Sequence, residues 1–284
     1  LWCTPSGVAL KAFPDLKTVQ MELEEEYNRL LAERAARPWE EVRREGVDWL
    51  RQTVFAGRKP VESNVRVTDE GVCGHYIYRG LLWRAQEGYW GAGVLLRDMR
   101  QEDRPLPTVI ALWPRGVRAI EEHSAWIHRQ CAQGRQVLVT DLAASGSLLP
   151  NPISQSSMHI GWGTLFIYNA FLIKLGDSIA ATRIYQAISA LGVVGDLPLE
   201  DSGEYAYYGE GEFARYAKIA ALLTKKPVKT AGLYQGYGEI VLEKYHDQTH
   251  TVDWVLPGIL RHLDMEDIDR CLREESLLGD GLTI

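Results

Sequence analysis

The sequence lacks several features that would place it quickly. No apolar run approaches the roughly 18–20 residues that span a bilayer, and no segment has the form of a signal peptide, so the reading predicts a soluble chain that does not cross a membrane. Cysteine is sparse: Cys3, Cys73, Cys131 and Cys271 lie far apart without a CxxC pair, which argues against a zinc site or a disulfide framework and leaves room for one bridge. Positive charge is not concentrated. With a formal charge of −7 and scattered Lys and Arg there is no phosphate-tracking patch, which excludes nucleic acid as a predicted partner. No phosphate loop of the Walker type is present. The one Gly-rich turn, Gly209-Glu210-Gly211-Glu212-Phe213-Ala214, lacks the Lys-Ser/Thr ending and would set two carboxylates against a phosphate or pyrophosphate, so no nucleotide or other cofactor is predicted. The chain starts at Leu1 rather than Met, which reads as a processed end and leaves the compartment open.

What is present is ordinary folding material. The 284 residues are 46% apolar and 24% charged, enough for one large α/β domain or two small ones. Nine Trp are many for this length; a Trp face can stack on a sugar ring, but the more economical reading is a core or interface anchor. Leu16, Val19, Leu23, Tyr27, Leu30 and Leu31 recur at helical spacing, and Trp39, Val42, Val47, Leu50 and Val54 resume it after Pro38, predicting two amphipathic helices. Short Val/Tyr/Ile/Leu segments between 61 and 112 predict a small antiparallel run. From Thr108 onward the pattern alternates: strand Thr108–Trp113, helix Ala119–Gln133, strand Gln136–Asp141, a Ser/Pro/Gly-rich connection 143–163, helices over 164–191 broken at Leu175-Gly176-Asp177, strand Glu204–Tyr208, helix Phe213–Leu223, strand Val228–Leu233 and helix Met265–Glu275. The predicted class is α/β, a mostly parallel sheet with helices on both faces, preceded by N-terminal helices (1–60) and a short antiparallel lead-in. Residues 61–284 form the sheet domain and the whole is one structural unit.

In such a sheet the site lies beyond the carboxyl ends of the strands, which directs attention to Trp113-Pro114-Arg115-Gly116, to Asp141–Gly146, to Gly209-Glu210-Gly211-Glu212 and to Gln235-Gly236-Tyr237-Gly238. The third has the context of a nucleophile elbow, strand then tight turn then helix, in which G-x-S-x-G raises a serine above the sheet. Gly211 occupies the serine position and Phe213 that of the final small residue. Glycine has no atom with which to attack a carbonyl. Glu210 and Glu212 beside it read first as charges favouring a helix N-terminus.

Several segments resemble a family. Cys3-Thr4-Pro5-Ser6-Gly7, Leu175-Gly176-Asp177-Ser178-Ile179 with Arg183-Ile184-Tyr185 and Ala187–Leu191, Tyr208-Gly209-Glu210-Gly211, and Pro257-Gly258-Ile259-Leu260 with Asp264–Asp267 look like the α/β-hydrolase domains of bacterial acetyl xylan esterase-like proteins, and within them like the degenerate second domain of tandem forms. The likeness runs over most of the chain in loose segments. It implies an α/β-hydrolase sheet and a lineage acting on carbohydrate esters. The family's nucleophile does not carry over, because Gly211 stands in its place, and the acid and histidine of the fold would follow two further strands, which the roughly 70 residues after the elbow do not accommodate.

Other residues were candidates for a rescue of activity. His246 and His250, with Asp247 between them, share a helical spacing, but the nearby Thr249, Thr251 and Val252 favour extended backbone, so a loop is the first reading and no metal is predicted. His123, His128 and Cys131 do not converge at their spacing, and His75 reads as a structural strand residue. Ser145 follows a strand and faces the predicted crevice, whereas Asp177-Ser178 reads as a helix cap. Two functions follow. One is a non-catalytic α/β-hydrolase-like domain that packs on a catalytic partner domain or self-associates as a homo-oligomer to support a carbohydrate-ester site. The other is an active esterase using a non-standard nucleophile, with Ser145, His246 and Asp247 as its catalytic candidates.

Overall fold

The computed structural model describes residues 4–13, 15–101, 104–150, 157–197, 201–243 and 252–279. After the short helix α1 (Ala9–Ala12), the two predicted amphipathic helices appear as α2 (Val19–Ala35) and α3 (Trp39–Phe55). The Thr18 hydroxyl caps α2 by accepting the Met21 N–H at 3.2 Å, and Pro38 starts α3 with its fixed φ.

Among the described residues there are seven strands: β1 (Arg66–Cys73), β2 (Tyr76–Gln86), β3 (Tyr89–Asp98), β4 (Leu106–Leu112), β5 (Gln136–Asp141), β6 (Asp201–Glu210) and β7 (Val228–Ala231), in the spatial order β1-β2-β3-β5-β4-β6-β7. The pairs β1·β2, β2·β3 and β3·β5 are antiparallel; β4·β5, β4·β6 and β6·β7 are parallel. The sheet is therefore mixed, which corrects the expectation of a mostly parallel one. The lead-in is not short either, since β2 and β3 run for 11 and 10 residues. Polar residues broke their pattern in the sequence because β1 is an exposed edge. There Glu70 and Arg79 sit opposite each other across β1·β2 and pair at 2.6 Å. His75 lies in the turn between β1 and β2 rather than in a strand.

The crossover helices are α4 (Ser124–Ala132), α5 (Ser157–Lys174), α6 (Ile179–Gly195) and α7 (Phe213–Thr224), and α8 (Tyr237–Leu242) and α9 (Met265–Glu274) follow β7. Alternation along the central strands divides the core into two. Val109, Ala111, Val137 and Val139 face Trp126, Ile127 and Cys131 of α4. Ile110, Leu112 and Leu138 face the other way, into a larger cluster built by α3, α6, α7 and α9. Helices thus cover both faces, unequally. Part of the predicted connection 143–163 is helical, α5 beginning at Ser157, and the predicted turn 235–238 is the start of α8. Gly-Tyr-Gly lacks a side-chain cap of its own. Asp264, remote in sequence, supplies it by accepting the Tyr237 and Gly238 N–H groups at 2.9 Å each.

Among the described residues no single helix is long and apolar enough to cross a membrane; residues 164–174 and α6 pass such a test only as a pair bent by 92°. Beyond α9, Leu278 bridges Val228 in parallel on the outer edge of β7, with the Val228 N–H donating to the Leu277 carbonyl at 2.8 Å.

Candidate functional site

The site is assembled where β4, β5 and β6 end. At the end of β5, the Asp141 carboxylate is fully buried. It accepts the Val117 N–H from the turn after β4 and the Ser147 N–H from its own turn, both at 2.8 Å. One side chain thereby ties two loops together. Gly116 and Gly146, both at positive φ, leave it the room, since a Cβ on either would collide with Asp141 Oδ1. Burial pushes the Asp141 carboxyl above its ordinary pKa, and the two N–H donors oppose this only in part.

Ser145 lies in the same turn and is buried at the crevice wall. Its hydroxyl donates to the Leu142 carbonyl at 2.9 Å and accepts the Leu142 N–H at 3.1 Å. The oxygen is engaged in closing the turn. Ser178 caps α6 by accepting the Ala181 N–H at 3.1 Å, as its Asp-Ser pattern predicted.

The turn after β6 passes tightly from strand into α7. Gly211 adopts φ +56°, and a Cβ built on it meets nothing within 4 Å. Gly209 is the opposite case: a Cβ there would stand 2.7 Å from both Ala214 Cα and Ala217 Cβ, so its glycine lets β6 lie directly against α7. The Gly211 N–H donates to the Ala231 carbonyl at 3.0 Å, tying the turn to β7. The two flanking carboxylates separate. Glu210 turns to the α4 side, where its Oε2 accepts the Tyr208 hydroxyl and faces His123 Nε2, each at 3.1 Å. Glu212 lines the crevice.

His123 is a brace rather than a free base. Its Nδ1 stands 2.8 Å from the Ala119 carbonyl, its Nε2 faces Glu210, and its ring stacks on Trp113 at 4.0 Å between centroids and 4° between planes. Both nitrogens are thus engaged within the fold, one by the Ala119 carbonyl and one by Glu210. His128 bonds the Tyr76 hydroxyl instead, and Cys131 is buried beneath, its thiol pushed up to about 12 by burial. The Cys271 thiol is likewise raised, to about 11, by burial. Neither thiol has the exposed, electropositive setting of a reactive one. Among the described residues no group of His, Cys, Asp and Glu is placed to hold a metal ion. His246 and Asp247 lie outside the described residues, as does His250.

A crevice of about 380 Å³ opens between these turns. Pro114, Leu149, Leu165, Phe213 and Trp254 supply apolar wall; Arg115, Arg118 and Glu212 supply charge. Its base contains Arg183, which the sequence reading quoted only within the resemblance and gave no role. The guanidinium donates to Asp253 Oδ2 at 2.7 Å, to the Tyr216 hydroxyl at 2.9 Å and to the Ala143 carbonyl at 2.9 Å. Burial works against this charge, and Tyr216 and Asp253 outweigh it, raising the Arg183 pKa. The available signal was a lone cation in the otherwise uncharged stretch Ile179–Gly195, which has to be paired when it is buried. Trp254 had no such signal.

No family model matches the sequence, and no curated protein matches it. Solved structures do. A Bacteroides fragilis protein classed by inference as an acetyl xylan esterase aligns over 96% of this chain and 73% of its own, with TM-score 0.60 and 10% identity. Acetyl xylan esterase 1 from Thermoanaerobacterium sp. aligns over 68% of this chain and 62% of its own at 12% identity and TM-score 0.45. An acetyl xylan esterase from Paenibacillus sp. R4 aligns over 64% and 55% at 19% identity and TM-score 0.45. The chain thus spans less than two thirds of the latter two, whose scores are too low to bear on the fold. The first likeness, together with the strand order and the turn after β6, identifies the architecture as an α/β-hydrolase-like fold.

Proposed function

We propose that this chain is a non-catalytic α/β-hydrolase-like domain of carbohydrate-esterase lineage, close in kind to the degenerate domain of tandem forms, and that it supports a catalytic partner domain or associates with a second copy. One observation carries the reading. The turn after β6 keeps the left-handed backbone, the close strand-to-helix packing and the open space of a nucleophile elbow, and Gly211 places no hydroxyl there. The resemblance to an inferred acetyl xylan esterase supplies the carbohydrate-ester lineage.

The competing reading, an esterase with another nucleophile, has Ser145 as its candidate. The two hydrogen bonds of Ser145 to Leu142 tell against it, because an attacking oxygen needs a base rather than a backbone carbonyl as the acceptor of its proton. The purified chain is therefore expected to hydrolyse neither p-nitrophenyl acetate nor acetylated xylan above the buffer rate. Turnover abolished by Ser145→Ala would overturn the proposal. The accessory role is tested by sedimentation velocity, which is expected to reveal self-association or a stable complex with a catalytic partner domain. A folded chain that remains monomeric and unbound at all concentrations would remove that half.

A further inference from the structure

We propose that the cavity beyond the end of β7 binds a small hydroxylated monocarboxylate, with Arg215 as its anion contact. This inference goes beyond the non-catalytic reading and does not depend on it. Arg215 lies in the first turn of α7 and is only 1% exposed. Its Nε donates to the Gln235 carbonyl at 2.9 Å and its Nη2 donates to the same oxygen, while its buried Nη1 has no acceptor. The guanidinium is caged by the rings of Trp254 at 5.0 Å, Tyr234 at 5.2 Å and Tyr237 at 6.0 Å.

Three other buried cations, Arg183, Lys218 and Arg34, show what is missing. Arg183 has Asp253 at 2.7 Å, Lys218 has Asp269 at 2.7 Å and Arg34 has Asp267 at 3.7 Å. Among the described residues Arg215 makes no ion pair. Aromatic faces offset the burial of a cation only in part, and a guanidinium held from water without a carboxylate is costly unless something supplies one.

Arg215 lines a cavity of about 410 Å³, within the range of small-ligand sites, together with Glu212, Glu239, Trp254 and Gln235. The two glutamates define the ligand. They repel a dianion about twice as strongly as a monoanion, which favours a single negative charge over phosphate or sulfate, and they accept hydrogen bonds from hydroxyls. Glu239 Oε2 already accepts the Gly236 N–H at 2.7 Å, which fixes its carboxylate in place. Trp254 gives an apolar flank and, with Glu212, is shared with the crevice, so a ligand here sits beside the elbow. A sugar acid has the required combination of one carboxylate, several hydroxyls and an apolar ring face.

The test is thermal unfolding and titration calorimetry of the full chain with sodium galacturonate, galactose and sodium acetate against sodium chloride at equal ionic strength. Galacturonate is expected to raise the Tm by about 5 °C at a hundredfold excess over its Kd. Acetate should give a smaller rise and galactose none. Arg215→Met should abolish the galacturonate shift while leaving the ligand-free Tm unchanged or higher, since it removes an unmatched buried charge. If that variant does not fold, Trp254→Leu, which removes the apolar ring face, is expected to weaken galacturonate at least severalfold. The proposal is overturned if galacturonate neither binds nor stabilises the wild type, if galactose performs as well, or if the full effect survives Arg215→Met or, where that variant does not fold, the second substitution. None of these results depends on esterase activity, so failure here is distinct from failure of the non-catalytic reading.

Discussion

The turns after β5 and β6 flank β4 at the carboxyl end of the sheet and are built by opposite means. After β5 the side chains carry the structure: Asp141 holds two backbone N–H groups and Ser145 closes its own turn. After β6 the backbone does so, with Gly211 in the left-handed region and Gly209 pressed on α7, and a Cβ at Gly211 would meet nothing within 4 Å. Polar side chains are thus occupied with architecture in one turn, and glycines shape the other. Chemistry has to be judged by what each polar atom is already bonded to.

Substitutions can break this contrast at either turn. The largest effect is expected for Asp141→Ala. It orphans the Val117 and Ser147 N–H groups and opens a buried void, at a cost of about 3–5 kcal/mol in urea unfolding. Gly209→Ala should cost less, about 2–3 kcal/mol, because its Cβ would force α7 away from β6. Gly211→Ser has room and suffers only the left-handed backbone, so about 1 kcal/mol is expected. An order reversed between the two glycines would show that the turn is not the elbow described.

The smallest effect is in pH. The folded state raises the Asp141 pKa, so it retains the proton to higher pH than the unfolded chain does. Stability should then decline modestly as pH rises from about 3.9, the ordinary carboxylate value, through the raised one. Urea midpoints measured across that window should lack the decline in Asp141→Asn.

Much of the frame was legible in the sequence because it rests on local pattern. Gln136–Asp141 is strand β5 as read, and the Pro38 break separates α2 from α3. The mixed character of the sheet was not legible: strand direction is set by the turns at Gly74 and Gly88 and by the antiparallel match of β3 with β5, and the latter joins residues about forty apart. The strand, tight turn and helix around Gly211 were legible because the glycines and the apolar runs beside them are local pattern. The commitments of Ser145, Glu210 and His123 were not, because hydrogen-bond partners such as Glu210 and His123, 87 residues apart, meet only after folding. Arg215 gave no reading from sequence for the same reason: whether a cation has a counter-charge depends on residues that β7 and α8 bring to it.

The central claim is that this chain has no acyl-transfer nucleophile, and labelling of the purified wild type with a fluorophosphonate probe tests it most directly. Intact mass spectrometry is predicted to show only the unmodified mass, with or without denaturation of the chain before treatment. A stoichiometric adduct that forms on the folded protein, disappears when the protein is first unfolded, and maps to Ser145 or any other hydroxyl would contradict the account.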